Sequence, residues 1–306
     1  MITHHSFDAD SPKAGTAVAL GFFDGMHVGH MQVIQKALDL KKDGLESCVF
    51  SFDTSHVSPN AEKGSKQIMS LSEKIAFCEK IGVDHLYIPD FARIRDISHE
   101  SFIAEILQEK LRAKVVCSGS DFRYGKNARG NTETLARECA GLGIGLHVLP
   151  PVKYNGLPVS ATRIRAALEE GDVALAGRLL GRSYSYALPV SEGRKLGREL
   201  GFPTMNQIFE PSRLLPRFGV YASLTELNGE LMASVTNVGV KPTIGAAGAA
   251  LSETYIIGMN RELYGRTITV RLAAYLRPEV VFYSLEALKT QIREDARCAQ
   301  ELLLKL

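Results

Sequence analysis

The hydrophobic and polar positions of this chain change texture once, near Ser183. Ahead of it, short apolar runs alternate with stretches in which apolar residues recur every three or four positions, so strands alternate with helices. The run opening at Val18 reads as a buried parallel strand; it passes through Gly21, Gly25 and Gly29 into a helix over Met31–Leu40, where Val33, Ile34, Ala37 and Leu38 share one face. Further strands are expected at Ser47–Phe52, His85–Ile88, Lys114–Cys117 and Leu146–Leu149, and helices at Ser70–Ile81, Ser98–Leu111, Thr132–Ala140 and Asp172–Leu180. Alternation of this kind predicts a doubly wound parallel sheet of α/β class. Met1–Ala14 reads as a loose lead-in with His4 and His5 in solvent, and Thr54–Gln67, with Pro, Asn, Gly and charges, as a flap. Beyond Ser183, alternating runs at Phe218–Leu224, Glu230–Val235, Leu251–Ile257 and Thr267–Leu272 predict an antiparallel barrel or sandwich, closed by a helix over Leu285–Leu304. Two domains follow, residues 1–182 and 183–306.

The strand, glycine turn and helix around Gly21 suggest a guest. A helix N-terminus presents unpaired N–H groups, and glycines let a phosphate approach the main chain. The spacing departs from the dinucleotide fingerprint, and no Gly-Lys-Ser/Thr follows as a P-loop needs. Present instead are Gly21, Phe22, Asp24, Gly25, His27, Gly29 and His30. His27 and His30, three apart, fall on one helix face and could both donate to one triphosphate. A metal clip or a helix cap is the plainer use of such a pair.

Composition narrows the classes. A net charge of +2 on 306 residues gives no case for bulk attraction to nucleic acid or membrane, so any anion site must be local. Five widely spaced cysteines without Cys-x-x-Cys fit reduced thiols of a cytoplasmic protein. No stretch approaches the roughly 18 apolar residues that span a bilayer. A homo-oligomer is compatible with the sequence.

Three more stretches carry chemistry. Ser118–Gly130 follows a strand end, where ligands of open parallel sheets sit, and mixes glycines, Asp121, two aromatics and three cations; a solvated charged loop is the alternative. In Val159–Leu168, Ser160 or Thr162 can cap a helix while Arg163 and Arg165 put cations near its positive end, an opposition that an anion would relieve. The alternative is an amphipathic helix with two solvated arginines. Gly193–Asn206 combines Gly193, Lys195 and Gly197 with Phe-Pro-Thr, suggesting a loop around an anion, and Thr204 and Asn206 offer neutral oxygens to a hard cation such as Mg²⁺. From the residues alone, an ordinary basic hairpin serves as well.

The string Gly21-Phe-Phe-Asp-Gly-Met-His-Val-Gly-His30 resembles the FAD-synthetase branch of the nucleotidyltransferases, which carry His-x-Gly-His. Gly119-Ser-Asp-Phe-Arg-Tyr-Gly125 is similar to that branch's flavin-pocket stretch, and Ser160-Ala-Thr-Arg-Ile-Arg165 to its ATP-closing motif. Gly201-Phe-Pro-Thr-Met-Asn206, Gly219-Val-Tyr-Ala, Asn237-Val-Gly-Val-Lys-Pro-Thr, Glu253-Thr-Tyr, Leu263-Tyr-Gly and Arg277-Pro-Glu-x-x-Phe282 resemble riboflavin kinase in the same order. The chain departs from these patterns at Ser118, Tyr124, Ala161, Leu188, Pro189, Met205 and Lys241.

The resemblance implies a Rossmann-like nucleotidyltransferase domain before a riboflavin-kinase barrel, acting on riboflavin, FMN and ATP with Mg²⁺. It further implies Glu253 as general base, His27, His30, Arg163 and Arg165 on phosphates, and Asp121, Phe122, Gly125 and Arg277 toward the flavin. The rivals are a nicotinamide oxidoreductase, disfavoured by the glycine spacing, and a flavin-binding regulator without turnover.

Overall fold

A computed structural model of the chain describes residues 1–7, 12–53, 66–193, 196–243 and 246–305. They form two compact units, Met1–Ala161 and Thr162–Leu306. In the first, β1 (Ile2–His4), β2 (Thr16–Leu20), β3 (Glu46–Phe50), β4 (His85–Tyr87), β5 (Ala113–Gly119) and β6 (Gly145–Leu149) pair in parallel in the order β1-β4-β3-β2-β5-β6. Val18 and Leu20 of β2 face Phe102, Ile103, Ile106 and Leu107, while Ala17 and Ala19 face Val33, Ile34 and Ala37 of α1 (Val28–Asp39). A strand covered on both sides needs apolar side chains at every position, which is why β2 reads as an unbroken run.

The helix α2 (Leu71–Lys80) begins with a reciprocal cap: the Glu73 N–H donates to Ser70 Oγ at 3.2 Å and the Ser70 N–H to the Glu73 carboxylate at 2.9 Å. After α3 (Phe91–Ile94), the helix expected over Ser98–Leu111 divides into α4 (His99–Ser101) and a π-wound segment, Phe102–Lys110, that still turns its apolar stripe to the sheet. The helix α5 (Thr132–Gly141) and a small hairpin of β7 (Lys153–Tyr154) and β8 (Leu157–Pro158) complete the unit.

The lead-in differs from expectation. Ile2–His4 is the sheet's edge strand, and His4 is 3% exposed, hydrogen-bonded to His85 at 3.1 Å and stacked on Tyr87 at 4.1 Å. Three residues are too few to display a period, and their partner lies 81 positions away. Residues 54–65 of the expected flap lie outside the described residues.

The second unit takes in α6 (Ala161–Glu170) from Thr162 on, then α7 (Val173–Leu180) and a closed antiparallel barrel. Its strands are β9 (Ser185–Ser191), β10 (Thr204–Ile208), β11 (Gly219–Leu227), β12 (Glu230–Thr243), β13 (Ala246–Ile256) and β14 (Thr267–Arg277), in the order β10-β13-β12-β11-β14-β9. Closure decides for barrel over sandwich. The Arg217 N–H donates to the Leu168 carbonyl at 2.8 Å, tying α6 to the barrel unit.

The barrel interior is partly hydroxyl-lined. Ser223, Thr225, Ser234, Thr236 and Thr254 are fully buried or nearly so and hydrogen-bond to one another at 2.8–2.9 Å. Such a chain satisfies its own donors and acceptors without water. After the short helix α8 (Leu196–Glu199), the C-terminal α9 (Leu285–Leu303) lays Ala296 and Ala299 on Val220, Ala222 and Val235 of the barrel wall. β9 falls in a stretch with no expected element, and β10 begins inside the stretch expected to be a loop; Leu188 and Pro189 are wall residues opposite Ile268 and Thr267.

Candidate active sites

The carboxyl ends of β2, β5 and β6 open on a cavity of about 400 Å³ in the first unit. Gly21, Phe22, Asp24, His27, Gly29, His30, Asp121, Phe122 and Ser160 all line it, so three separated stretches of sequence meet there. Gly25 forms the buried turn ahead of α1, and Gly125 packs against the His99 backbone; neither lines the cavity. Thr162, Arg163 and Arg165 follow on the first turns of α6, Thr162 exposed and the two arginines half-buried.

α1 starts three residues before its expected first residue, with His27 as its cap. His27 Nδ1 accepts the His30 N–H at 3.2 Å, and the two rings stack at 3.5 Å. The cap and the cavity wall are therefore one residue. His30 also meets the Phe23 ring edge-on, and burial, followed by the charges of His27 and Lys74, holds it well below the usual histidine range. It stays neutral at neutral pH. Among the described residues, the group able to offer three clustered metal-ligating atoms is His99, Glu100 and Glu138, so the His27–His30 pair has no third ligand for a clip.

Lys74 is the residue that the sequence reading passed over. It is 4% exposed, and its ammonium donates to the Phe22 carbonyl at 2.8 Å and to Ser51 Oγ at 2.9 Å, 4.8 Å from the centre of the Phe22 ring. Burial lowers its pKa to about 8, with the Asp24 charge opposing. Asp24 in turn accepts the Ile68 and Met69 N–H groups at 3.0 and 3.4 Å. The loop with the signature is thus fixed from beneath by an ammonium and a carboxylate. The available signal was a lysine at the i+3 place of the stripe Leu71, Ile75, Cys78, where a hydrophobe is expected.

In the barrel, side-chain placement follows register. Asn206 of β10 and Asn237 of β12 both pair with Glu253 of β13, and Thr204 and Val235 both pair with Tyr255 one step along. Residues two apart on a strand share a face, so Glu253 and Tyr255 are on one side with Thr204, Asn206, Val235 and Asn237, opposite the hydroxyl-lined interior. A cavity of about 270 Å³ is lined by Thr204, Asn237, Glu253, Tyr255, Arg277 and Phe282, with Leu288, Ile292 and Asp295 from α9. A second, narrower cleft is lined by Gly193, Arg198, Thr204, Asn206 and the Arg261–Tyr264 turn, so Thr204 borders both. Gly193 and Gly197 are glycines by contact: a Cβ would strike the Asn206 amide at the first and the Phe202 carbonyl at the second. Lys195 lies outside the described residues.

Arg277 lines the larger cavity with its donors engaged. Nε and Nη2 grip Asp295 at 2.9 and 2.7 Å, and Nη1 donates to the Pro278 carbonyl at 3.0 Å. Its guanidinium fastens β14 to α9 and forms the cavity wall.

Comparison with known proteins decides the family. The family model for FAD synthetase matches residues 9–163 and that for riboflavin kinase residues 180–303. The bifunctional riboflavin kinase/FMN adenylyltransferase of Listeria monocytogenes is 32% identical over 99% of this chain and 98% of its own, and that of Bacillus subtilis 33% identical over 96% and 94%. The chain belongs to the bifunctional riboflavin kinase/FMN adenylyltransferase family. A crystal structure described as a macrolide-efflux protein from Streptococcus pneumoniae shares the fold at a TM-score of 0.86 and 26% identity, covering 98% of each chain. Among the described residues, no helix is long and apolar enough to cross a membrane.

As a riboflavin kinase/FMN adenylyltransferase family member, the chain accommodates two of its departures from the family strings visibly. The Tyr124 hydroxyl donates to Glu138 at 3.0 Å while its ring stacks on Phe122 at 5.8 Å, so the extra oxygen is satisfied behind the cavity. Leu188 is buried in the barrel wall. Cys48, Cys78, Cys117 and Cys139 are buried and unbridged, and burial pushes the last three thiols up to about 12, 12 and 11, which leaves them unreactive.

Proposed function

We infer that this chain performs two successive reactions on one vitamin: phosphorylation of riboflavin to FMN by ATP in the barrel, and adenylylation of FMN to FAD, with release of pyrophosphate, at the parallel sheet. The observation that carries the reading is the gathering of the quoted motifs at cavities, Gly21–His30 with Asp121, Phe122 and Ser160 in one and Thr204, Asn237, Glu253 and Arg277 in another. Residues 1–182 are assigned to the adenylyltransferase and 183–306 to the kinase.

In the kinase, Glu253 accepts the proton of the riboflavin 5′-hydroxyl, whose oxygen attacks the γ-phosphate of ATP. Thr204 and Asn206 suit Mg²⁺ arriving with the nucleotide. Asn206 Oδ1 is buried without a hydrogen-bond partner, and a hydroxyl beside an amide oxygen is a hard, neutral donor set that lets the ion share phosphate oxygens. Bound there, the ion supplies charge compensation on the transferring phosphoryl. Gly193, Lys195 and Gly197 are assigned to the nucleotide phosphates.

In the adenylyltransferase, the FMN phosphate attacks the α-phosphate of a second ATP. Gly21, Phe22, Asp24, Gly25 and Gly29 shape the nucleotide cradle, with Ser160 and Thr162 at the next helix start. His27 and His30 donate to the polyphosphate, His30 as a neutral imidazole, and Arg163 and Arg165 supply positive charge. Asp121 and Phe122 serve the flavin side from the cavity wall and Gly125 from behind it, as Arg277 does in the kinase through the wall it holds. The chain is read as a cytoplasmic enzyme of small-molecule substrates.

Incubation with riboflavin and MgATP, followed by separation of products, tests the inference. FMN, ADP, FAD and pyrophosphate are all expected; failure to form FAD from added FMN and ATP would remove the first activity, and failure to form FMN the second.

A further inference from the structure

The row Asn206–Glu253–Asn237 holds two amides, and each has a buried Oδ1 with no hydrogen-bond partner. The cation proposal uses the first. The second is unexplained by anything above. Its orientation is fixed: Asn237 Nδ2 donates to Glu279 Oε1 at 2.9 Å, and since a carboxylate only accepts, the amide nitrogen must face Glu279 and the oxygen must face away. Glu279 is itself packed against the backbone of Gly239, where a Cβ would collide with its carboxylate. A buried, unsatisfied carbonyl oxygen is destabilising unless a ligand's donor completes it. Asn237, Glu253 and Glu279 line the same cavity.

We propose that Asn237 Oδ1, aimed by Glu279, accepts a hydrogen bond from a secondary ribityl hydroxyl of the flavin substrate, the one beside the 5′-hydroxyl that Glu253 deprotonates. The proposal rests on the kinase reading of Glu253. Paired residues on neighbouring strands stand about 4.5–5.5 Å apart, so an acceptor beside Glu253 meets the polyol one carbon from the reacting oxygen. The isoalloxazine ring's own donor, N3–H, lies at the far end of the ribityl chain from the 5′-hydroxyl. Asn237 selects for a hydroxylated chain; Glu279 positions Asn237 and touches no reacting atom.

The test uses the full-length enzyme with riboflavin and with 4′-deoxyriboflavin, which keeps the 5′-hydroxyl. Wild type should prefer riboflavin about tenfold in kcat/KM, through KM, and Asn237→Ala should lose that preference while its KM for ATP and its conversion of added FMN to FAD stay unchanged. Glu279→Gln, which lets the amide turn over, should lose part of the preference. Equal losses on both flavins in Asn237→Ala, or a preference retained by it, would overturn the assignment. An FMN yield of zero from wild type would instead overturn the kinase reading itself.

Discussion

The two units build their sites by opposite means. At the parallel sheet the chemistry sits in loops beyond the strand ends, and a buried layer of charge beneath holds it in shape: Lys74 on the Phe22 carbonyl and Ser51, Asp24 on the Ile68 and Met69 N–H groups. In the barrel the central residues sit within strands, and backbone register alone sets Asn206 and Asn237 on either side of Glu253. A loop site needs tertiary support that a strand site receives from its ladder. The first should therefore fail when a distant support is removed, and the second when a residue of the row, or one hydrogen-bonded to it, is touched.

The largest expected effect separates the units outright. Glu253→Gln should lower FMN formation about 10²–10⁴-fold, the range for a general base, and leave added FMN convertible to FAD. His27→Ala with His30→Ala should do the reverse, abolishing FAD formation and sparing FMN. Product chromatography reads both, and loss of both activities in either variant would break the two-site comparison.

Lys74→Met probes the support. It leaves the Phe22 carbonyl and Ser51 without their ammonium, an expected loss of about 1–3 kcal/mol in the first unit. FAD formation should fall about tenfold while FMN formation holds; unchanged FAD kinetics would show that the loop does not need its buried charge.

The smallest effect is in pH. His30 takes up a proton less readily in the folded chain than in the unfolded one, so between its depressed value and about 6.5 the unfolded chain carries the extra proton. Stability then rises with pH across that window and declines as pH falls below about 6.5. Thermal unfolding followed from pH 7.5 to 5 should show the decline in wild type and a flatter profile in His30→Gln.

Sequence alone settled the alternation that makes a parallel sheet, the change to a β texture near Ser183, and the motif strings themselves, because apolar period and glycine placement are local properties of the chain. It could not show Ile2–His4 as a strand, since an edge strand of three residues is made by its partner, nor β9 and β10, whose pattern is overlaid by residues that a binding loop also uses. Polar partnerships were the least legible. Lys74, Glu279 and Asp295 look like ordinary surface charges until the fold supplies a carbonyl, an amide or a guanidinium within hydrogen-bonding distance, and only the tertiary structure brings such pairs together.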